Sequence, residues 1–248
     1  MLSVAITTIC DMVAHCRHRL DDLSPVGDPP TSNQDLIEDA AEDADETELL
    51  WKTPELRHFA NEAIREVAIR TRCLRDGGRD EEGVTRYPVA AGESTVAVDP
   101  RVLVIKRAWW NDAVMTPEAE FHLDDWSSSW RTDSTDCPRR FTLERSSRNL
   151  RLVGVPTVAG VVSLDVIRLP LAVIETGTPE IPQQYLADCL DWMCALAYLK
   201  NDADTANPQL SQMYAAEFER KVGPRPTNLQ LELERHQSGR RRARLHYF

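Results

Sequence analysis

The sequence predicts an α+β protein, in which a helical bundle carries an inserted antiparallel β-rich domain (a meander or sandwich) and ends in an extended C-terminal tail. Apolar residues recur at helical spacing before residue 75 and again after residue 182. Between these parts, residues 84–169 form short alternating runs separated by turn residues. We therefore divide the chain into N-terminal helices with a linker (1–82), a β insertion (83–170), closing helices (171–224) and a tail (225–248).

Two helices are predicted before the insertion. A stripe of apolar residues indicates an amphipathic helix over residues 3–20. The second begins at Thr53-Pro54, since threonine can cap a helix and proline suits its first position, and we expect it to end near Gly77. Glu66 and Arg70 lie four residues apart, so we expect an ion pair on the outer face.

The segment between these helices is strongly acidic. Residues 33–48 hold eight carboxylates and no lysine or arginine, and the whole of 24–48 is typical of a flexible linker. The full chain has a formal net charge of −11. This charge excludes a general nucleic-acid coating protein, because a phosphate partner needs a basic face.

The middle of the chain predicts an antiparallel meander with one buried face. Along residues 161–169, Val162, Leu164 and Val166 alternate with Ser163 and Asp165, which we expect on the opposite face. The other predicted strands cover 95–98, 102–110, 141–144 and 150–153. A short helix is expected over 117–124, and residues 125–138 resemble a loop.

The segment after residue 182 predicts a helix that is apolar around most of its circumference. Such a helix is expected to be buried on two sides, one in its own bundle and one against a neighbouring subunit. A last helix is capped by Asn207-Pro208 and stopped by Gly223-Pro224. The residues assigned to subunit packing on the apolar helix are Tyr185, Leu186, Leu190, Trp192, Met193, Leu196 and Leu199.

No catalytic motif is present in the sequence. It lacks a glycine-rich phosphate loop, a G-x-S-x-G elbow and an H-E-x-x-H pair. His15 and His18 lie near two cysteines, but that spacing does not point all four side chains one way, so no metal site is predicted. The six cysteines form no C-x-x-C pair and are read as reduced thiols. We expect no enzyme, no cofactor and no membrane span.

Two stretches keep more than one interpretation. Asp124 and Asp125 lie near Trp126 and Trp130, which suits either a surface loop or a sugar-cleaving cleft. The tail is read as a solvated end, as a docking segment that pairs arginines with carboxylates and inserts its aromatic rings into a partner, or as a nucleic-acid contact. Its candidate docking residues are Arg240, Arg241, Arg242, Arg244, Tyr247 and Phe248.

Four stretches carry a family resemblance: TPELRHFANEAIREVAIRTRCLRD, GESTVAVDPRVLVIKRAWW, RRFTLERSSRNLRLVGVPTVAGVVSLDVIRLPL, and TPEIPQQYLADCLDWMCALAYLKNDADT followed by NPQLSQMYAAEFERKVG. Together they resemble the head-to-tail adaptor proteins of short-tailed bacteriophages, of the tail tubular protein A type. The likeness covers roughly residues 50–223, and the first helix more loosely.

The resemblance implies a virion protein assembled in the host cytoplasm. It implies a ring of twelve copies below the portal protein, with the tail nozzle protein beneath and genomic DNA passing through the lumen without tight binding. In such proteins a C-terminal extension commonly binds the portal. The alternatives are a carbohydrate-binding or glycan-degrading virion module on the β insertion, and a stopper or head-completion protein of a longer-tailed phage.

Overall fold

A computed structural model describes residues 6–22, 49–77, 83–144, 149–200, 206–228 and 230–231. The chain divides into two compact units, and each is described by itself. The helical unit comprises Met1–Leu74 and Pro170–Arg225. The β unit comprises Arg75–Leu169 and Pro226–Phe248.

The described part of the chain forms five α-helices. Four belong to the helical unit: α1 (Ile9–Leu20), α2 (Thr53–Thr71), α4 (Leu186–Ala197) and α5 (Pro208–Val222). The fifth, α3 (Glu120–Trp126), lies in the β unit. A single turn of 3₁₀ helix, Gln183–Tyr185, leads into α4.

Helix α4 is the centre of the helical unit, because α1, α2 and α5 all pack on it. Leu186, Leu190 and Met193 are each no more than 2% exposed. Burial of one such side chain stabilises the folded state by about 1.5–3 kcal/mol. The apolar circumference of α4 therefore determines how the other three helices are arranged.

The β unit contains ten described strands. Eight form one sheet in the order β1-β10-β4-β5-β7-β8-β3, with β2 also paired to β10, and β6 pairs with β9 alone. All pairs are antiparallel except β5 with β7 and β6 with β9. The strands are β1 (Arg75–Asp76), β2 (Arg86–Val89), β3 (Thr95–Val96), β4 (Val102–Trp110), β5 (Ala113–Pro117), β6 (Ser134–Thr135), β7 (Arg140–Leu143), β8 (Leu150–Leu152), β9 (Val155–Pro156) and β10 (Gly160–Arg168).

The two nine-residue strands β4 and β10 form the core of this sheet. Val162, Leu164 and Val166 are completely buried, as their alternation predicted. Gly160 begins β10 beside Trp110, and a Cβ atom at this position would overlap the indole ring, so only glycine fits. Helices and a mostly antiparallel sheet confirm the predicted α+β class. The topology of the sheet is more complex than a meander, because β5 and β7 run parallel.

Several local predictions need correction in the helical unit. Helix α1 begins at Ile9, where the Thr8 side chain accepts from the Asp11 amide. Helix α2 ends at Thr71 rather than near Gly77, since Arg72 adopts a left-handed conformation (φ 56°). The residues that follow form β1, which pairs with β10.

The predicted Glu66–Arg70 pair forms, but it is buried rather than on the outer face. Arg70 Nε lies 2.7 Å from Glu66 Oε1, and the two side chains are only 6% and 7% exposed. Arg70 Nη1 also donates to the carbonyl of Gly223 (2.8 Å). Its guanidinium lies 5.2 Å from the Trp192 ring centroid and 4.8 Å from that of Phe218. One arginine thus joins α2 to α4 and to the end of α5.

The β unit also differs from its prediction in the placement of polar residues. Asp165 is 3% exposed instead of facing solvent, and Arg75 donates to its two carboxylate oxygens from Nε (2.9 Å) and Nη2 (2.6 Å). The short helix runs Glu120–Trp126, two or three residues later than predicted. The expected loop over 125–138 contains β6, and Trp130 within it is 1% exposed.

The Glu66→Gln variant is expected to destabilise the protein by about 3–5 kcal/mol, because it leaves the buried Arg70 without its carboxylate. Urea unfolding followed by circular dichroism measures this loss. Glu62→Gln is the matched control on the same helix: its pair with Arg65 (3.8 Å) is 44% and 55% exposed, so we expect a change of about 0–1 kcal/mol. Equal losses in the two variants would contradict a structural role for the buried pair.

Candidate assembly surfaces

The residues assigned to subunit packing fall into two groups in the structure. Leu186, Leu190 and Met193 are covered by the chain's own helices. Tyr185, Trp192 and Leu196 are partly exposed, and Leu199 is 62% exposed. A subunit contact through α4 is therefore restricted to the second group, and the role itself stays a prediction for all seven residues.

One end of the helical unit displays exposed apolar side chains. Leu50 precedes α2 and is 45% exposed, Leu199 follows α4, and Met213 in α5 is 54% exposed. We call Leu50, Leu199 and Met213 the apolar end. Exposed apolar side chains mark a contact site between proteins where they form a contiguous patch, so the apolar end is a candidate for such a contact.

A chain of aromatic rings supports this end from within. The Trp51 ring meets that of Tyr198 edge-on at 5.9 Å, and Tyr198 stacks on Tyr214 at 6.0 Å. Trp51 is 2% exposed, and its indole N–H donates to the carbonyl of Ala197 (3.1 Å). Burial raises the pKa values of Tyr198 and Tyr214, so both phenols are neutral around neutral pH. The aromatic rings thus join the start of α2 to the end of α4 and to α5.

One charged residue of α4, Asp191, is buried inside the helical unit. Asp191 is 3% exposed and accepts from Arg19 of α1 and from Lys221 of α5 (2.7 Å to Nζ). One turn earlier, burial raises the pKa of Asp188. A buried carboxylate is tolerated only when it is paired, so Asp191 specifies which helices flank α4.

The carboxylate and tryptophan cluster in the β unit has a structural explanation. Asp124 accepts from the indole N–H of buried Trp130 (2.9 Å) and forms an ion pair with Arg131. Hydrogen bonds from Arg131 and then Trp130 lower the pKa of Asp124. A glycosidase general acid needs a raised pKa, so Asp124 is unsuited to that role. Asp125 is exposed, and Trp126 is 66% exposed beneath the guanidinium of Arg140.

Several further predicted features can be located. All six candidate docking residues, from Arg240 to Phe248, lie outside the described residues, as does the acidic stretch 33–48. Among the described residues, no group of three or more His, Cys, Asp or Glu side chains is placed to hold a metal ion. His15 and His18 lie on α1, whose Cys16 faces Cys194 instead. No described helix is both long enough and apolar enough to cross a membrane.

The helical unit is thus a firmly packed bundle that leaves Leu50, Leu199 and Met213 exposed. A family model described as SU10 adaptor protein matches residues 31–244, which is most of the chain. The chain belongs to the SU10 adaptor protein family. It is accordingly a bacteriophage adaptor, a structural protein of the virion, and the prediction is confirmed at this level. The narrower likeness to tail tubular protein A stays a prediction. No curated protein matches the chain.

The range matched by the family model leaves out one helix of the helical unit. Helix α1 lies before residue 31, outside the matched range, yet it packs on α2 and α4. Sequence reasoning assigned Leu199 to subunit packing but did not single out Leu50 and Met213, because helical spacing alone does not show which apolar residues a neighbouring helix covers. It predicted the pair of Arg70 with Glu66 but missed the contacts of Arg70 with Trp192 and Gly223, which are more than a hundred positions away in the sequence.

The cysteines are expected to react with a thiol reagent in two groups of three. Cys16, Cys189 and Cys194 are buried. The hydrogen bond with Cys194 and then burial raise the pKa of Cys16, and burial raises that of Cys189. Because the thiolate is the reactive form, these three should react only after unfolding, whereas the half-buried Cys10, Cys73 and Cys137 react in the folded protein. The reaction rates are measured from the absorbance of the nitrothiobenzoate that the thiol reagent releases. Six equal rates in native buffer would contradict the packing of α1 on α4.

Proposed function

We propose that this chain is the head-to-tail adaptor of its virion, a ring that joins the portal protein to the tail nozzle protein and forms part of the DNA exit channel. Family membership supports the adaptor class. The observation that carries the proposal further is the apolar end, where Leu50, Leu199 and Met213 are exposed at one end of the bundle. In the family resemblance the ring holds twelve copies, and we adopt that number for the proposal.

The subunit seam is proposed to run along the exposed part of the apolar helix. Leu199 after the end of α4, and the partly exposed Tyr185, Trp192 and Leu196 along it, would supply the surface, while Leu186, Leu190 and Met193 stabilise the bundle behind it. Burial of one large side chain is worth about 1.5–3 kcal/mol per seam, and a closed ring repeats that gain at every copy. Modest contacts are thus enough when assembly is cooperative.

The basic, aromatic tail is proposed to bind the portal. Arg240, Arg241, Arg242 and Arg244 would pair with portal carboxylates, and Tyr247 and Phe248 would enter apolar pockets. Arginine and aromatic residues are enriched among the side chains that contribute most to protein interfaces. The DNA would pass through the lumen without tight binding, in keeping with the net charge of −11.

The full chain mixed with its portal ring is expected to form a complex that adds about a dozen copies, whereas the chain alone stays small. A chain that lacks residues 239–248 should lose most of this binding. Native mass spectrometry measures both. A matched control replaces the four tail arginines with lysine, which keeps the charge but not the forked hydrogen bonding, and separates the two contributions. Unchanged binding by the truncated chain would refute portal docking by the tail, and a full chain that ignores the portal would refute the adaptor proposal.

Leu199→Glu should weaken ring assembly on the portal by roughly 10- to 100-fold, because it places a charge in the proposed seam. The exposed position predicts an unchanged thermal midpoint, so a loss of assembly would not reflect unfolding. Val173→Glu is the matched control, since Val173 is 79% exposed in the same unit and lies outside α4 and the apolar end. The seam assignment fails if both variants assemble like the unaltered chain or if both fail alike.

A further inference from the structure

The end of α1 and the start of α2 are joined by a single carboxylate. Asp22 is 5% exposed and lies two residues after Leu20, the last residue of α1. Its Oδ1 accepts from the backbone N–H of Leu50 (2.9 Å), and its Oδ2 accepts from the backbone N–H of Trp51 (3.2 Å). The two sides of the intervening segment, residues 23–48, are thereby held together at one point.

This junction, which we call the Asp22 clasp, is anchored in three helices. Arg17 of α1 is 6% exposed; it donates from Nη1 to Asp22 Oδ2 (2.8 Å) and from Nη2 to the hydroxyl of Thr53, the first residue of α2 (3.0 Å). Trp51 reaches the last residue of α4 through its indole N–H, and Lys200 Nζ donates to the carbonyl of Leu50 (3.2 Å). Each oxygen of the buried carboxylate therefore has a donor, which is the condition for keeping the charge out of water.

The segment enclosed by the clasp holds most of the net charge of the protein. Residues 23–48 contain nine carboxylates and no lysine or arginine, so they contribute −9 to the total of −11. The rest of the chain is close to balanced. The acidic character of the protein is thus a property of one segment between two ends that meet.

We propose that the Asp22 clasp makes residues 23–48 an excursion that the helical unit does not need, so that the fold and the acidic charge are separable. Asp22 and Leu50 are in hydrogen-bond contact, and about four residues at roughly 3.3–3.6 Å each span such a gap. Closing a shorter loop costs less conformational entropy than closing a longer one. Among the described residues, hydrogen bonds of Arg17, Asp22 and Trp51, which lie outside the excursion, already join α1 to α2 and the start of α2 to α4. This inference is independent of the proposed ring.

The test compares the full chain with a chain in which Gly-Ser-Gly-Ser replaces residues 23–48. Thermal unfolding followed by circular dichroism should give midpoints within about 3 °C of each other. Asp22→Asn in the full chain should lower the midpoint by roughly 6–15 °C, because the buried Arg17 loses its carboxylate. Asp21→Asn is the matched control: Asp21 is the exposed neighbour in a left-handed conformation that asparagine tolerates, so we expect a shift of about 1 °C.

The outcomes separate cleanly. A shortened chain that unfolds, or that loses as much stability as Asp22→Asn, would show that residues 23–48 belong to the fold and would overturn the proposal. Equal unfolding midpoints for Asp22→Asn and Asp21→Asn would show that the Asp22 clasp does not stabilise the fold, and would overturn the proposal. If Asp22→Asn does not fold at all, Thr53→Val provides the milder test, because it removes only the hydroxyl that accepts from Arg17; a lowering of roughly 2–6 °C supports the clasp, and no change overturns it.

Discussion

The burial of α4 is the constraint on which the helical unit depends. A helix that is apolar around most of its circumference is stable in water only when other elements cover most of its surface. Helices α1, α2 and α5 supply that cover. The single buried carboxylate of α4, Asp191, adds specificity, because it is satisfied only where Arg19 and Lys221 both reach it. Apolar burial thus provides the free energy of packing, and the charge determines which helices stand beside α4.

Periodicity predicted the elements well, but it did not predict their surroundings. Strand β4 was predicted at its observed bounds, and the buried face of β10 followed from alternation, because both signals are local. The burial of Glu66, Arg70 and Asp165 was missed, since an i,i+4 pair or an alternating aspartate has the same pattern whether or not a distant element covers it. The end of α2 was missed for a related reason: β1 exists only because β10, about ninety residues later, offers it a partner.

For the proposed assembly surface too, the sequence pattern did not show which residues other elements cover. The sequence identified the apolar helix and seven residues on it, but it did not distinguish those that its own bundle covers from those left exposed. That division depends on the packing of α5, whose Phe218 lies 5.1 Å from the Trp192 ring. Leu199 is left exposed because α4 ends at Ala197, two residues before it. An exposed residue at the end of a buried helix is therefore the part of this pattern that remains free for a neighbour.

The position of the charge changes how the acidic composition should be understood. A net charge spread over the surface would repel DNA from every wall of a channel. Here residues 23–48 carry −9 of −11, so any repulsion of this kind depends on where one segment lies in the assembled virion. The clasp joins the residues on either side of that segment, at the end of the helical unit where Leu50 and Lys200 lie. Assembly through apolar contacts and electrostatic control of DNA would then be carried by neighbouring but chemically distinct parts of the chain, and each can be altered without the other.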